Sequence, residues 1–238
     1  MFSPGAEVPF AGHPTLGTAW VLRERGLVGE REVVQRCGAG PVAVRFHDDG
    51  LVELSAAPRD SVGPLDDELA AALLEDVGLS IFDAAGPAWL SGAGLSFVHL
   101  QVGAGSVGRA RASHRPLEEY ADRFAAAGAP ADPVEGINVH HVSGHAPDLR
   151  VHARVFVPGL AVAEDPATGS AAAGLGIALV ASGSLPEGGR YEIAQGGEMG
   201  RPSRLAGRVE ANAGAATRCH VSGRVQQVAS GRIAVPPR

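Results

Sequence analysis

Four segments of the chain place apolar residues at the three- and four-residue spacing of an α-helix. The first carries Leu16, Ala19 and Leu22 and ends at Gly26, a residue type that commonly stops a helix. In the second, Leu65, Leu69, Leu73 and Val77 share one face. The pattern predicts helices over 12–26, 65–77, 116–127 and 168–182.

Short runs rich in β-branched residues lie between and after these helices. They predict strands over 32–35, 41–46, 51–54, 96–102, 138–142, 152–157, 190–193, 203–209, 220–228 and 232–235. The second and third runs flank Asp49-Gly50, a dipeptide typical of a hairpin turn. Many short strands with few helices indicate an α+β fold. The Gly- and Pro-rich segment 84–94 indicates a boundary, so we predict domains 1–86 and 87–238.

An internal repeat relates the first helix to the last. Four residues recur 157 positions later, as Gly12 and Gly169, Gly17 and Gly174, Leu22 and Leu179, and Gly26 and Gly183. A Phe-x-Pro-Gly pattern at 2–5 recurs just upstream of the second helix, at 156–159. We therefore predict two equivalent lobes, each with a buried helix whose N-terminus faces the other lobe. Two opposed helix N-termini would jointly hold a carboxylate.

Composition narrows the class of protein and the chemistry. The net charge of -6 provides no basic surface for nucleic acid, and no apolar run reaches the roughly 18 residues of a membrane span. All 20 basic residues are Arg, which excludes Schiff-base enzymes and P-loop nucleotidases that use their own lysine. Cys37 and Cys219 lack any metal or redox spacing, so we expect two unpaired thiols in a cytoplasmic protein.

The strongest chemical signal is the heptapeptide EDPATGS at 164–170. It places two carboxylates and a Thr-Gly-Ser turn directly before the last helix, which is how a chain presents free backbone N–H groups to an anion. Asp165 and Ser170 are therefore candidate site residues, together with His13 in the equivalent string GHPTLG. Residues of these types also commonly cap or precede helices without further function. We interpret Thr168 as such a cap and leave it out of the site.

The strings EVPFAGHPTLGTAWVL, RVFVPGLAVAEDPATGSAAAGLG and QGGEMGRPSRL resemble the PhzF-type phenazine biosynthesis family. The resemblance covers nearly the whole chain and implies the diaminopimelate-epimerase-like fold, two pseudo-symmetric lobes in which a curled, mostly antiparallel sheet surrounds a central helix. It implies a cofactor-free isomerisation that moves a proton on a small carboxylate-bearing metabolite. Carried over by motif, the catalytic residues are Asp165 and His13, and the substrate-binding residues are Gly12, Gly169 and Ser170. Because family members are commonly dimers, a homodimer is also expected.

Two departures from the family pattern qualify the resemblance. Epimerase relatives carry a cysteine before each helix-opening glycine, where this chain has Ala11 and Thr168, so a two-thiol racemase mechanism is excluded. Family members also have a preceding segment with an NLSET-like motif whose Glu is taken as the acid/base, and this string is absent here. Glu7 is the nearest replacement carboxylate. Two alternatives stay open: an impaired or truncated chain that only binds a metabolite, and a plain metabolite-binding module.

Two other groups of side chains have simple interpretations. The histidines at 140, 141, 145 and 152 have no interleaved Cys or acidic ligand at a metal-site spacing, and successive strand residues point to opposite faces. We expect solvated or locally hydrogen-bonded histidines and no metal. Neither Gly92-Ala93-Gly94 nor Gly174-Leu175-Gly176 completes a dinucleotide fingerprint, so no nicotinamide or flavin is expected. Arg201 could face a substrate carboxylate or form a surface ion pair.

Overall fold

The computed structural model describes residues 10–38, 40–59, 61–158, 163–232 and 234. Its α-helices are α1 (Gly12–Glu24), α2 (Asp67–Asp76), α3 (Ala121–Ala126) and α4 (Gly169–Ala181). Short 3-10 turns span Ile81–Asp83, Val107–Arg109 and Leu117–Tyr120. All four predicted helices are present, the third as a 3-10 turn that continues into α3. None of the described helices is long and apolar enough to cross a membrane.

Within the described ranges, eleven strands form one mixed sheet. They are β1 (Glu32–Cys37), β2 (Gly40–Phe46), β3 (Leu51–Ala56), β4 (Trp89–Ala93), β5 (Leu95–Gln101), β6 (Val134–His145), β7 (Asp148–Phe156), β8 (Glu164–Asp165), β9 (Gly188–Gln195), β10 (Ser203–Asn212) and β11 (Ala215–Arg224). Neighbours follow the order β1-β2-β3-β11-β10-β9-β7-β6-β5-β4, and β8 pairs with β7. Strands β5 and β6 pair in parallel, as do β7 and β9, while the other strand pairs are antiparallel. The predicted α+β class is confirmed.

The repeated helices correspond residue for residue. Helices α1 and α4 each have 13 residues, and both their first and their last residues are 157 positions apart. Each is followed by a glycine in the left-handed region, Gly26 with φ 66° and Gly183 with φ 78°. Glycine adopts this conformation without the strain that a side chain would cause, so it ends both helices as the sequence predicts. The predicted β2–β3 hairpin is also present, with Gly50 at φ 85°.

Two segments differ from the sequence predictions. The stretch 84–94, predicted as a domain boundary and not as a strand, contains β4. Its Gly92 lies so close to β5 that a Cβ atom there would be 2.1 Å from the Leu95 carbonyl oxygen, so this glycine serves close backbone approach and not flexibility. Strand β11 ends at Arg224, and Arg232 and Ala234 belong to no strand, while residues 233 and 235 lie outside the described residues. The division into 1–86 and 87–238 stays a prediction.

Two large hydrophobic clusters cover the sheet. One joins α1 and α4 to β2, β3, β7 and β9–β11, with Leu175 and Tyr191 buried at its centre. The other joins α2 and the short α3 to β4–β6 and includes Leu69, Leu73 and Val98. Helix α4 therefore lies inside the first cluster, and its N-terminus meets that of α1.

Candidate active site

The N-termini of α1 and α4 meet through their first residues. A Cβ atom built on Gly12 would lie 3.0 Å from the Cα of Gly169, and one built on Gly169 would lie 3.3 Å from the Cα of Gly12. Both distances are shorter than nine in ten real Cβ contacts, so only glycine permits the contact at both positions without a shift. The sequence repeat therefore has a spatial counterpart: its two helix-opening glycines are packed together.

Both helices begin with backbone amides that have no partner inside the helix. In α1 the first helical hydrogen bond runs from the Thr15 amide to the Ala11 carbonyl at 3.2 Å, and Pro14 has no N–H. In α4 the first runs from the Ala172 amide to the Thr168 carbonyl at 2.9 Å. Within the described residues, the first two amides of α1 and the first three of α4 thus have no acceptor. With the positive ends of two helix dipoles side by side, this junction suits a carboxylate.

The five predicted site residues all belong to this junction or to the loop that enters it. His13 lies in the first turn of α1 with an exposed side chain. Ser170 lies in the first turn of α4, where 5% of its surface is exposed. Asp165 is half-buried in β8, four positions before α4 begins. The structure brings Gly12 and Gly169 into contact, and the roles of all five residues in binding or proton transfer stay predictions.

A hydrogen-bond network surrounds the carboxylate of Asp165. Its Oδ2 atom accepts from the Thr168 hydroxyl at 2.8 Å. Gln195, at the end of β9, donates from Nε2 to the Asp165 carbonyl at 2.6 Å and to the Thr168 hydroxyl at 3.0 Å. The Thr168 amide donates to Oε1 of Gln195 at 3.3 Å. The side chain of Asp165 is therefore fixed from within the protein on one side.

Sequence reasoning missed two members of this network. Thr168 does occupy the N-cap position of α4, but its side chain makes no capping hydrogen bond and instead donates to Asp165. Gln195 is 3% exposed at a position where β9 alternates inward-facing residues. The available signal for Gln195 was its place on the apolar face of a strand, directly before Gly196-Gly197. A buried side-chain amide there needs hydrogen-bond partners.

The remaining candidates lie apart from the junction or outside the described residues. Glu7 falls in the segment that is not described. Arg201 is exposed, and no ion pair of its side chain is present in the described part of the chain. His141 bonds to the Val102 carbonyl at 3.0 Å, and His152 lies 2.8 Å from Glu198, so both are locally hydrogen-bonded. Across the described ranges no three His, Cys, Asp or Glu side chains are grouped to hold a metal ion.

A buried histidine pair lies near α4, and His99 contacts this helix at Gly174. His99 and His140 are 1% and 3% exposed, and their ring centroids are 6.3 Å apart. Burial lowers the pKa of His99 to about 3, assisted by repulsion from His140. Burial also lowers the pKa of His140 to about 4. His140 is therefore not solvated, but its Nδ1 lies 3.5 Å from the Asn138 carbonyl oxygen, which agrees with the predicted local hydrogen bonding. The spacing of the motifs gave no signal for His99.

The sequence profile of the PhzC-PhzF family, described as phenazine biosynthesis-like protein, matches residues 1–231. The chain belongs to this family. A trans-2,3-dihydro-3-hydroxyanthranilate isomerase of Pseudomonas aeruginosa is 32% identical over 98% of this chain and 77% of that protein. An uncharacterized isomerase of Mesorhizobium japonicum is also 32% identical, over 98% of this chain and 78% of its own length. The protein is thus a PhzF-family isomerase that spans about three quarters of these relatives.

Solved structures agree with this placement. A predicted epimerase from Pseudomonas aeruginosa superposes with a TM-score of 0.75 at 28% identity, over 99% of this chain and 78% of that one. A PhzF-family phenazine biosynthesis protein of Bacillus anthracis superposes with a TM-score of 0.70 at 21% identity, over 94% and 75%. The second likeness, at its lower identity, supports the fold alone.

Proposed function

We propose that this PhzF-family isomerase moves a proton on a small carboxylate-bearing metabolite without a cofactor, at the junction of α1 and α4. The observation that carries the proposal is the glycine contact, in which a Cβ atom on Gly12 would lie 3.0 Å from the Cα of Gly169. This contact brings the N-terminal amides of both helices to one place. In the same proposal, the two helices belong to two pseudo-symmetric lobes, and the substrate lies in the cleft between them.

The substrate carboxylate would be held by backbone groups. The amides of Gly12, Gly169 and Ser170 precede the first intrahelical hydrogen bonds, so each can donate to an oxygen of the substrate. Binding through amides and helix dipoles needs no Lys or Arg, which matches a chain without lysine whose Arg201 lies exposed. The proposed ligand class is therefore an anion of carboxylate size.

Asp165 and His13 are proposed to handle the migrating proton. The reaction takes a proton from one carbon, shifts the π electrons, and returns a proton to another carbon of the same molecule. Substrate and product then have the same composition, and neither an oxidant nor a reductant is consumed. The Asp165 carboxylate accepts a hydrogen bond from Thr168 on Oδ2. Because a carboxylate has further lone pairs and Asp165 is only half-buried, it can still accept a hydrogen bond from a ligand. His13 directly follows Gly12 of the glycine contact, and its side chain is exposed.

The relatives suggest which metabolite to try first. Because one of them is named a trans-2,3-dihydro-3-hydroxyanthranilate isomerase, we propose a cyclic, unsaturated amino carboxylate as the substrate class. A carboxylate on an unsaturated ring supplies both features that the site requires, an anionic anchor and a carbon acid. A homodimer stays a prediction beside this proposal.

Deuterium exchange tests the proposal. The protein is incubated with trans-2,3-dihydro-3-hydroxyanthranilate in heavy water, and deuterium in the recovered ring compounds is measured by mass spectrometry. Asp165→Asn should lower the incorporation rate by about 100-fold or more, which is the usual contribution of a positioned acid or base. Asp148→Asn is the matched control, because Asp148 is an exposed partner of Arg190 in the β6–β7 turn region. Wild-type exchange rates in Asp165→Asn would contradict the assignment, and tight binding without exchange in the wild type would favour a metabolite-binding protein.

A further inference from the structure

The loop that carries Asp165 has little backbone support. Strand β8 consists of Glu164 and Asp165 alone, and it pairs with Phe156 and Val155 of β7. A two-residue strand makes few ladder hydrogen bonds, so its position must be fixed by side chains as well. Within β8 the two side chains point to opposite faces, so Glu164 faces away from Asp165.

Glu164 is held by a buried arginine. Arg154 of β7 is 9% exposed, and its guanidinium donates from Nε to Oε1 of Glu164 at 2.8 Å and from Nη2 to Oε2 at 2.7 Å. The third nitrogen, Nη1, donates to the Ala110 carbonyl. The guanidinium carbon also lies 5.0 Å from the centroid of the Phe156 ring. Such a two-pronged contact fixes both the distance and the orientation of the carboxylate, which a single charge contact does not.

The ion pair is internal to the protein. The side chains of Arg154 and Glu164 are 10% and 13% exposed. The hydrogen bonds and charge of Glu164 raise the pKa of Arg154 against the opposing effect of burial, so the guanidinium stays charged. Buried ion pairs often add little net stability over apolar residues of similar size, and their retention then needs another explanation.

Gln195 holds the other end of the same loop. Its side-chain amide makes three hydrogen bonds, to the Asp165 carbonyl, the Thr168 hydroxyl and the Thr168 amide. The next residue, Gly196, packs so closely that a Cβ atom on it would lie 2.9 Å from the Pro166 carbonyl oxygen. The loop is thus fixed at Glu164 from β7 and at Asp165 and Thr168 from β9.

We propose that Arg154 and Glu164 are positioning residues, which together with Gln195 set the orientation of the Asp165 carboxylate toward the junction of α1 and α4. The inference rests on the proposed function, because it assigns Asp165 a role in proton transfer. Neither Arg154 nor Glu164 reaches the junction in this arrangement, because Glu164 points to the opposite face of β8 from Asp165. Their effect on catalysis is therefore exerted through the loop backbone.

The test combines amide hydrogen exchange with kinetics in three variants, Glu164→Gln, Arg154→Met and the double variant Arg154→Met/Glu164→Met. Exchange in peptides covering residues 163–171 should speed up by about tenfold or more, because the loop loses its attachment to β7. The kcat of deuterium incorporation should fall by about 10- to 100-fold with KM changed less than about twofold, since misplacement of Asp165 affects the reacting geometry more than carboxylate binding.

The double variant separates positioning from stability. An apolar pair in place of a buried ion pair commonly keeps or raises the melting temperature, so this variant should fold while its loop exchange stays fast and its kcat stays low. Glu32→Gln is the matched control, because it removes a comparable Arg45 contact of 2.8 Å that is exposed and lies at the far edge of the sheet. Glu32→Gln should change neither the amide exchange of the loop nor kcat.

The outcomes distinguish this inference from the proposed function. Wild-type loop exchange and wild-type kcat in Glu164→Gln and in the double variant would overturn the positioning role, even if Asp165→Asn abolishes turnover. If the wild type itself fails to exchange deuterium with the ring compound, the proposed function fails. In that case faster loop exchange in Glu164→Gln would still support the attachment of the loop by Arg154.

Discussion

Helices α1 and α4 have the same length and the same glycine pattern, yet they lie in opposite surroundings. In α4, twelve of the 13 residues are buried, whereas in α1 four are. The repeated leucines show the contrast directly, because Leu179 is 1% exposed and Leu22 is 36% exposed. The repeated glycines show it again: a Cβ atom on Gly174 would collide with neighbours, and one on Gly17 would meet nothing within 4 Å among the described residues.

The difference between the two helices shows that a local sequence pattern determines where a helix begins and ends but not how deeply it is buried. The glycines fix where each helix begins and ends, so both helices follow from the chain itself. Burial depends on the partners that the sheet supplies. Helix α4 is packed by β4, β5, β10 and β11, and Tyr191 donates from its hydroxyl to the Ala172 carbonyl at 2.9 Å. Helix α1 has β3 as its main strand partner in the described structure.

The largest effect that we expect is a loss of folding stability in acid, caused by the buried pair His99 and His140. His99 contacts α4 at Gly174, and the pKa values of His99 and His140 are lowered to about 3 and about 4. In the unfolded chain both titrate near their ordinary pKa of about 6.5, so the unfolded state binds more protons below that pH. The stability that the neutral histidines contribute is therefore fully present above about pH 6.5 and is lost as the pH falls toward 4. At pH 5 the loss should be about 2 kcal/mol per histidine.

Urea unfolding at pH 7 and pH 5 measures this loss. The variants His99→Gln and His140→Gln should each remove about half of the pH dependence, since each deletes one group that folding keeps neutral. His145→Gln is the matched control, because His145 is exposed at the end of β6. An equal free energy of unfolding for the wild type at both pH values would contradict the buried, neutral state of the pair.

Gly174→Ala should produce the next largest effect. The added Cβ would lie 2.9 Å from Nε2 of His99 and 2.9 Å from the Ser91 carbonyl oxygen. The carbonyl belongs to β4 and cannot move aside as a flexible side chain would, so the substitution overpacks the core and should destabilise the protein by about 1–3 kcal/mol. Urea unfolding at pH 7 checks the value. Stability equal to that of the wild type would show that α4 is packed more loosely than the structure indicates.

The same contrast explains which parts of the fold and site follow from the sequence. The helix ends, the β2–β3 hairpin and the facing N-termini of α1 and α4 were predicted, because each depends on glycines read within short motifs or in the repeat. The packing of Gly12 on Gly169 was not predicted. Strand β4 was missed because Gly92 resembles a linker glycine, although it serves close packing against Leu95. Gln195 was missed because its partners lie 27 and 30 positions away. Such long-range partners depend on strand order, which hydrophobic periodicity does not contain.

Gly17→Ala should produce the smallest effect, and it should have the opposite sign. Position 17 is equivalent to position 174, so both substitutions place alanine at the same point of a 13-residue helix. Alanine favours a helix interior over glycine by about 0.5–1 kcal/mol, and at Gly17 no described atom within 4 Å opposes the gain. Because helix propensity contributes equally to both variants, the difference between their free energies of unfolding measures the surroundings alone.

This pair of variants also tests whether the exposed face of α1 is open in solution. If it is, Gly17→Ala should melt slightly above the wild type at every protein concentration. A destabilisation comparable to that of Gly174→Ala would mean that α1 is enclosed after all. If that destabilisation grew with protein concentration, a second copy of the chain would be the enclosing partner, because only association depends on concentration.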